Sequence, residues 1–409
     1  MSTPKLGLAG VHLRDSMAPP GPEKEGSAAE MSKVGIPIID LAAGYREYRA
    51  EIDRRINRVL GSGWYILGEE VTRFETEFAD WLKVNSVIGV ANGTDAINLA
   101  LRSLEVGAGD AVFTVSHTAV ATVAAIEMSG ATPVLIDVDA ESRNIDIGKL
   151  SESVRNFSKI SGRLRPKALV AVHLYGQSCD MGALRRVCEE GGLHLIEDCA
   201  QAHGTTFRGA RAGSFGAAAA FSFYPTKNLG AMGDAGAVVL RDAAAATRCR
   251  ALRQYGWTSR YVSEFSGINS RLDEFQAAVL SVKLAHLDGE IAKRRAVARL
   301  YDAGLAGAVE TPRESPNSEH AYYLYVIRCA DRDSLRTTLQ NAGIGSGIHY
   351  PVPVHLQPAY RDRVPLGLGG LAVTEALAGE IVSLPMHPFL STEDVDRVIE
   401  VVKNWAGSR

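Results

Sequence analysis

The sequence predicts an α/β protein in which a large domain with a mostly parallel sheet is followed by a smaller α+β domain. Two observations favour the large domain: seven short apolar runs lack strict alternation, and helical segments separate them. Such runs are typical of strands buried on both faces beneath helices. The third observation is that long helical patterns dominate after about residue 260. A chain of 409 residues with 46% hydrophobic residues can supply a core to both domains.

The elements can be assigned in chain order. Residues 1–33 are rich in Pro, Gly, Ala and charge, which predicts a disordered leader before a large domain over 34–260 and a small domain over 261–409. Two helices with apolar residues at helical spacing come first, over 45–60 and 71–82. The predicted strands are 87–90, 111–115, 133–138, 168–174, 194–197, 218–223 and 237–240, with helices over 95–104, 120–128 and 181–190 between them. The small domain is predicted to contain helices over 272–287, 291–300 and 334–342 and a strand over 322–328.

Composition excludes several classes of function. Lys plus Arg number 44 against 47 Asp plus Glu, a net charge of −3 without a basic block, so nucleic acid is not an expected partner. No apolar run reaches the roughly 18 residues of a membrane span and no signal peptide is recognisable, so we expect a cytoplasmic protein without a membrane partner. The five cysteines form no CxxC pair, and the ten histidines show no HExxH spacing, so no metal site is predicted.

Polar groups follow three of the predicted strands, where the carboxyl ends of parallel strands form one edge of the sheet. Gly93 and Thr94 open a helix whose free N–H groups suit a phosphate, although a simple helix cap explains them too. Asp198 ends a buried strand and therefore needs a cation, unless it only caps a helix or accepts a core hydrogen bond. Lys227 follows an apolar strand, where a lysine is ordinarily solvated. Together they suit pyridoxal phosphate, which needs a lysine, an acid at its ring nitrogen and an anion cradle.

Four segments carry a resemblance to a known family. They are NGTDAINLAL, IEDCAQAHG, FSFYPTKNLGAMGDAGAVV and GINSRLDEFQAA, in that order. They resemble the DegT/DnrJ/EryC1/StrS sugar aminotransferases, and the similarity extends over residues 38–402. The resemblance implies a fold-type-I, pyridoxal-phosphate-dependent enzyme that moves an amino group from L-glutamate to a nucleotide-linked keto-deoxysugar.

The resemblance also implies roles for individual residues. Lys227 would bind the cofactor aldehyde and move the proton during transfer, and Asp198 would pair with the pyridine nitrogen. Gln201 would lie near the phenolic oxygen of the cofactor. The phosphate would be held by Gly93, Thr94 and Ser222, and by Asn269 from a neighbouring subunit, which implies a homodimer with a shared active site.

One position departs from the family pattern. Many members place an aromatic ring near Ala119 to stack on the cofactor, and alanine cannot stack. His117, two positions earlier, is the candidate replacement, although a hydrogen-bonded wall residue is the alternative. His203 is also near the cofactor by sequence, with a structural role favoured, and Tyr224 is expected to pack only.

The substrate side is predicted from three segments. Trp64 and Tyr65 resemble a loop that approaches the sugar, or else they staple the first two helices together. His349 and Tyr350, together with His355, resemble a wall of the same pocket. The segment 253–257 has Arg253 and Tyr255 as candidates for a diphosphate and a base at the pocket mouth, or as solvated surface residues.

The loop around Trp64 favours a 3-keto sugar substrate such as dTDP-3-keto-6-deoxyhexose over a 4-keto sugar. A sugar dehydratase is a further alternative, but such relatives replace the lysine, typically with histidine, whereas Lys227 is retained here. A non-catalytic regulatory protein with the same fold is the alternative from another class, and it predicts no visible absorbance from a lysine-bound cofactor.

Overall fold

The computed structural model describes residues 35–408, so the predicted leader lies outside the described residues. The α-helices of this range are α1 (Leu41–Ser62), α2 (Glu69–Leu82), α3 (Gly93–Ser103), α4 (Val120–Met128), α5 (Ile147–Arg155), α6 (Met181–Gly191), α7 (Ala243–Leu252), α8 (Glu274–Leu305), α9 (Arg332–Asn341), α10 (Ala372–Glu380) and α11 (Thr392–Gly407). Short 3-10 turns lie at Phe157–Lys159, Leu174–Gly176 and Val354–Leu356.

The strands of the main sheet occur along the chain in the predicted succession. The strands of the described range are β1 (Val87–Val90), β2 (Asp110–Val115), β3 (Thr132–Ile136), β4 (Arg165–Val172), β5 (His194–Asp198), β6 (Thr206–Phe207), β7 (Ala210–Arg211), β8 (Ala218–Ser222), β9 (Gly236–Leu240), β10 (Trp257–Ser259), β11 (Val262–Ser263), β12 (Ser318–Glu319), β13 (Tyr325–Arg328) and β14 (Ile381–Leu384). The main sheet has the order β1-β9-β8-β5-β4-β2-β3, and only β9 runs antiparallel to its neighbours within it. The predicted mostly parallel sheet is therefore confirmed.

The main sheet is buried on both faces. Along β4, Ala168 and Val170 join a cluster with Leu99 of α3, while Leu169 joins a second cluster with Leu184 of α6. Alternate side chains thus reach opposite helical layers, which is why these strands lack a polar face in the sequence.

The small C-terminal part contains β13, β14, α9 and α11, and α8 links its core to that of the large sheet. Leu280 and Leu287 of α8 pack in a cluster with Ala219 of β8, whereas Tyr301 and Leu305 belong to the C-terminal cluster. The two helices predicted over 272–300 are one continuous helix, so that prediction was wrong. Gly289 lies inside this helix, where a glycine costs about 1 kcal/mol relative to alanine. The packing of both ends of the helix outweighs this cost. The domain boundary at residue 260 stays a prediction.

Three predicted strand limits were also wrong, the first being that of β3, which ends at Ile136 rather than at Val138. Strand β13 begins at Tyr325 rather than at Tyr322, whose φ of 46° lies in the left-handed region. Strand β4 ends at Val172, and Tyr175 beyond it has a φ of 61°. A strand cannot pass through such backbone angles, and side-chain pattern alone does not reveal them.

The parallel strands end at one edge of the sheet, and the segments that follow β1, β2, β4, β5 and β8 therefore meet there. In the described part of the chain, no helix has the length and apolarity needed to cross a bilayer.

Candidate active site

Asp198 lies at the end of β5 with a side chain enclosed by hydrogen-bond donors. It is 5% exposed, and its carboxylate accepts hydrogen bonds from Thr122 Oγ1 at 2.8 Å and from the Ala200 N–H at 3.1 Å. Because the Thr122 hydroxyl gives its proton to a carboxylate, the Thr118 hydroxyl 3.0 Å away donates to Thr122 in turn. Burial raises the pKa of Asp198, while these donors and the charge of Lys227 act in the opposite direction. Among residues 35–408 no cation forms an ion pair with Asp198, which leaves a buried carboxylate able to receive one.

Lys227 lies in the loop after β8 and faces the same edge. Its N–H donates to Tyr224 O at 2.9 Å, and the next residue, Asn228, is buried. The ammonium Nζ lies 4.4 Å from the centroid of the Tyr323 ring. Burial, followed by the charge of Lys227, lowers the pKa of His349 to about 4. The ammonium is therefore close enough to act electrostatically on both Asp198 and His349.

The start of α3 approaches the end of β8. Asn92 caps the helix by accepting the Asp95 N–H at 2.8 Å, so the predicted cap is present. A Cβ on Gly93 would lie 2.6 Å from Cβ of Ser222, a distance that no side chain tolerates. Only glycine permits this approach, which brings the half-buried Thr94 and the free N–H groups of the helix beside Ser222.

Three predicted site residues contact Tyr175, which the sequence analysis missed, and a fourth is bonded to one of these three. His117 Nε2 lies 2.9 Å from Tyr175 Oη, and the Tyr175 hydroxyl donates to His349 O. The Tyr175 N–H donates to Gln201 Oε1 at 2.6 Å, and Gln201 Nε2 donates to Tyr350 Oη at 2.9 Å. Tyr175 lies in the short turn after β4, the neighbour of β5, so its position after a central strand was the signal that could have identified it.

Ala119 and His117 differ in their surroundings. Ala119 directly precedes α4 and is partly exposed, whereas His117 is 1% exposed and its ring is nearly perpendicular to that of Tyr175. His355, predicted on the pocket wall, lies with Nδ1 2.8 Å from Ser116 Oγ, next to His117 in the chain. A stacking role for His117 stays a prediction.

Other predicted residues lie outside this group of contacts. Trp64 is 65% exposed, and the partly exposed Tyr65 stacks on Phe275 of α8 at 5.4 Å, so Tyr65 packs on a helix other than the two it was suggested to staple. Tyr255 is 41% exposed. Asn269 is also exposed, and its backbone pairs with that of residue 254, the chain neighbour of Tyr255. None of the hydrogen bonds among residues 35–408 joins these side chains to Asp198 or Lys227.

Two minor predictions were wrong. Tyr224 is 52% exposed and is not a packing residue. Arg253 is 7% exposed and is neither at a pocket mouth nor solvated, because its guanidinium pairs with Glu75 at 2.7 Å and donates to Gly89 O. The half-buried Glu75 lies far from Arg253 in sequence, so no local pattern could indicate the pair.

One group in residues 35–408 has the spacing of metal ligands: His173, Glu197 and Cys199, all buried. Glu197 accepts hydrogen bonds from His173 Nε2 and from the N–H groups of residues 213, 215 and 216. His173 Nδ1 accepts the Cys179 N–H, so the ring is neutral and donates through Nε2. These contacts fasten the ends of β4 and β5 next to Asp198.

His203 is fully buried against the rings of Phe221 and Phe223, at 5.4 and 5.6 Å, and neither ring nitrogen has a hydrogen-bond partner within the described part of the chain. Burial, assisted by the charge of Lys227, lowers its pKa to about 3. The folded state therefore binds fewer protons than the unfolded chain between about pH 6.5 and pH 3, and stability falls as pH falls through that window.

We expect His203→Leu to reduce this pH dependence, because leucine fills the apolar site without titrating. The free energy of unfolding can be measured by urea titration between pH 7 and pH 4.5. Below pH 6 it should decrease with falling pH less steeply in the variant than in the wild type, by about 1.4 kcal/mol per pH unit. Equal slopes for the two proteins would contradict a neutral, buried His203.

The model of the DegT/DnrJ/EryC1/StrS aminotransferase family matches residues 46–403. The chain belongs to this family. The family resemblance expected from the four sequence motifs is thereby confirmed, and the protein is a pyridoxal-phosphate-dependent aminotransferase.

Individual relatives of this aminotransferase match over almost their whole length. It is 45% identical over 382 residues to the dTDP-3-amino-3,4,6-trideoxy-alpha-D-glucose transaminase of Streptomyces venezuelae, covering 93% of this chain and 98% of the relative. It is 43% identical to the dTDP-3-amino-3,6-dideoxy-alpha-D-galactopyranose transaminase of Aneurinibacillus thermoaerophilus, covering 90% and 99%. The solved structure of S. venezuelae DesV in complex with a ketimine intermediate aligns with a TM-score of 0.86 at 45% identity, covering 91% and 98%.

The described residues of the aminotransferase fit this cofactor. The buried carboxylate of Asp198 has no ion-pair partner among residues 35–408, and a protonated pyridine nitrogen would supply one. The close approach of Gly93 to Ser222 leaves helix N–H groups free for a phosphate. The Lys227 ammonium lies against a ring rather than a carboxylate, so covalent use of Nζ would break no ion pair.

Proposed function

We propose that this aminotransferase moves an amino group from L-glutamate to a dTDP-linked 3-keto-6-deoxyhexose. The observation that carries the proposal is the near-complete alignment with relatives whose names place the new amino group on carbon 3 of a dTDP-linked sugar. The sequence around Trp64 favours the same choice. Enzymes that aminate 4-keto sugars are the alternative to be tested against it.

We propose Lys227 and Asp198 as the catalytic residues. Pyridoxal phosphate supplies an electron sink that stabilises negative charge on the carbon losing its proton. Nζ of Lys227 would hold the cofactor covalently at rest. Once the amino donor displaces it, the free amine would take the proton from the donor α-carbon and later return one to the sugar carbon that receives the nitrogen. The carboxylate of Asp198, oriented by Thr122, would keep the ring nitrogen protonated by ion pairing.

Gly93, Thr94 and Ser222 are proposed to bind the phosphate of the cofactor, with Gln201 near its phenolic oxygen. The proximity of Gly93 to Ser222 and the capped start of α3 support this assignment. His117, buried and hydrogen-bonded to Tyr175, is proposed as a wall of the cofactor site.

We expect Gly93→Ala to weaken cofactor binding about tenfold, because the new methyl group would force Ser222 away from the helix start. The dissociation constant can be measured by titrating apoprotein with pyridoxal phosphate and following visible absorbance. Gly379→Ala is the matched control, since Gly379 is exposed near the end of α10 and a Cβ there meets nothing within 4 Å. Equal affinity in the Gly93 variant and the control would refute the cradle.

A homodimer with a shared active site is part of the proposal. Asn269 is exposed and makes no hydrogen bond to the residues around Lys227 within the described chain. This supports a role for Asn269 in the site of a neighbouring subunit. The exposed Trp64, Tyr65 and Tyr255 are proposed to contact substrate, together with His349 and Tyr350. The cytoplasmic location stays a prediction.

The proposed substrate can be tested with purified holoenzyme, L-glutamate and a panel of dTDP- and UDP-linked 3-keto and 4-keto sugars. We expect formation of 2-oxoglutarate and an amino sugar, with kcat/KM at least about tenfold higher for the dTDP-linked 3-keto sugar than for its 4-keto isomer. Preference for a 4-keto sugar would replace the proposed substrate by the alternative. Failure to aminate any member would overturn the assignment.

A further inference from the structure

Tyr175 links side chains of the large sheet to the segment 349–350 of the C-terminal part. Its hydroxyl contacts His117 and the carbonyl of His349, and its backbone N–H contacts Gln201, which in turn holds Tyr350. Tyr175 is 4% exposed, so water does not compete for these contacts. The three partners of Tyr175, and Tyr350 beyond Gln201, were all predicted site residues, whereas Tyr175 was not.

The directions of these hydrogen bonds follow from counting protons. A carbonyl oxygen only accepts, so the single hydroxyl proton of Tyr175 goes to His349 O. The remaining contact, from Tyr175 Oη to His117 Nε2, then requires that Nε2 carry a proton and donate it. Burial and the charge of Arg143 lower the pKa of His117 to about 4, so the ring is neutral at neutral pH. A neutral ring with a proton on Nε2 has an unprotonated Nδ1.

The backbone around Tyr175 is held in an unusual conformation by several contacts. Its φ of 61° lies in the left-handed region, which is unfavourable for a tyrosine. Its carbonyl accepts the Leu324 N–H at 3.3 Å, and Gly176 O accepts both the Ala321 N–H and the Thr205 hydroxyl. These contacts offset the strain and direct the N–H of Tyr175 at Gln201.

We propose that Tyr175 is a positioning residue: its hydroxyl fixes His117 as the tautomer protonated on Nε2 and, together with Gln201, fixes the segment 349–350 beside the proposed cofactor site. His117 thereby presents Nδ1 only as a hydrogen-bond acceptor. The further step, in which His349 and Tyr350 form a correctly placed wall for the sugar nucleotide, rests on the proposed function.

The proposal can be tested on the holoenzyme with Tyr175→Phe, which keeps the ring and removes the hydroxyl. Tyr360→Phe is the matched control, because Tyr360 is only partly buried and packs beside a different cluster. Protein labelled with 15N-histidine reports each tautomer through the ring nitrogen chemical shifts, with His117→Gln identifying the His117 signals. Hydrogen exchange measured by mass spectrometry reports how firmly residues 347–352 are held.

In the wild-type protein we expect His117 to appear as the Nε2-protonated tautomer, and in Tyr175→Phe as a mixture of both tautomers. Exchange over residues 347–352 should accelerate about tenfold or more in Tyr175→Phe and remain unchanged in Tyr360→Phe. With the keto sugar, KM should rise about tenfold with a smaller change in kcat, because one buried hydrogen bond that places the wall is lost.

An Nδ1-protonated His117 in the wild-type protein would overturn the proposal. So would unchanged tautomer and exchange in Tyr175→Phe, whatever the activity. If tautomer and exchange change as expected but no keto sugar is aminated by the wild-type enzyme, the positioning role stands and the proposed substrate fails.

Discussion

Replacing Lys227 by alanine is expected to reduce transamination by at least about 10³-fold. Nζ is the only group in the proposed mechanism that both binds the cofactor covalently and transfers the proton. Its ring contact with Tyr323, 4.4 Å away, is replaceable by van der Waals packing, so the fold should survive the loss. The measurement is kcat for glutamate-dependent amination, with circular dichroism to establish that the variant is folded.

Lys403→Ala is the matched control, because Lys403 is exposed on α11. Wild-type and control proteins should show the visible absorbance of lysine-bound cofactor and lose it on borohydride reduction, whereas Lys227→Ala should not show it. Near-normal turnover in Lys227→Ala would exclude the proposed mechanism. A wild-type protein that never acquires this absorbance would favour the regulatory alternative.

Replacing Asp198 by asparagine is expected to lower kcat by about 10²- to 10³-fold while preserving the size of the side chain. Asparagine can still accept the Ala200 N–H, but it has no charge with which to keep the pyridine nitrogen protonated. The same substitution removes a buried carboxylate whose pKa is raised by burial, so we expect no loss of folding stability.

Two measurements separate catalysis from folding in this variant. Single-turnover kinetics with glutamate should show slow proton removal, and thermal unfolding of the apoprotein should match the wild type. Asp396→Asn, on the exposed face of α11, is the control and should retain full kcat. An Asp198→Asn enzyme that transfers amino groups at the wild-type rate would remove Asp198 from the mechanism.

Much of the large domain could be predicted because its strands are short apolar runs between helical segments, a local pattern that burial on both faces produces. The three strand-end residues Gly93, Asp198 and Lys227 could be predicted for the same reason, since a parallel sheet gathers its carboxyl ends at one edge. The residue types then limited the possible cofactors, because few cofactors need a lysine, a carboxylate and a helix that begins at a glycine.

Other features could not be predicted because they depend on partners distant in the chain. Arg253 looked like a surface residue until Glu75, 178 positions away, was found beside it. The continuity of α8 through Gly289 depends on packing against two separate clusters, and nothing within the helix sequence reports that packing.

The sequence by itself determined the α/β class, the succession of the strands along the chain and the identity of the residues after β1, β5 and β8, because these follow from neighbours in the chain. Tertiary structure alone decided which hydrogen bonds connect the other predicted site residues. Tyr175 and His349 are 174 positions apart, and His117 and Tyr175 are 58 apart, so only folding creates their hydrogen bonds. Hydrogen bonds of this kind depend on distance and direction in space, which residue type and spacing do not encode.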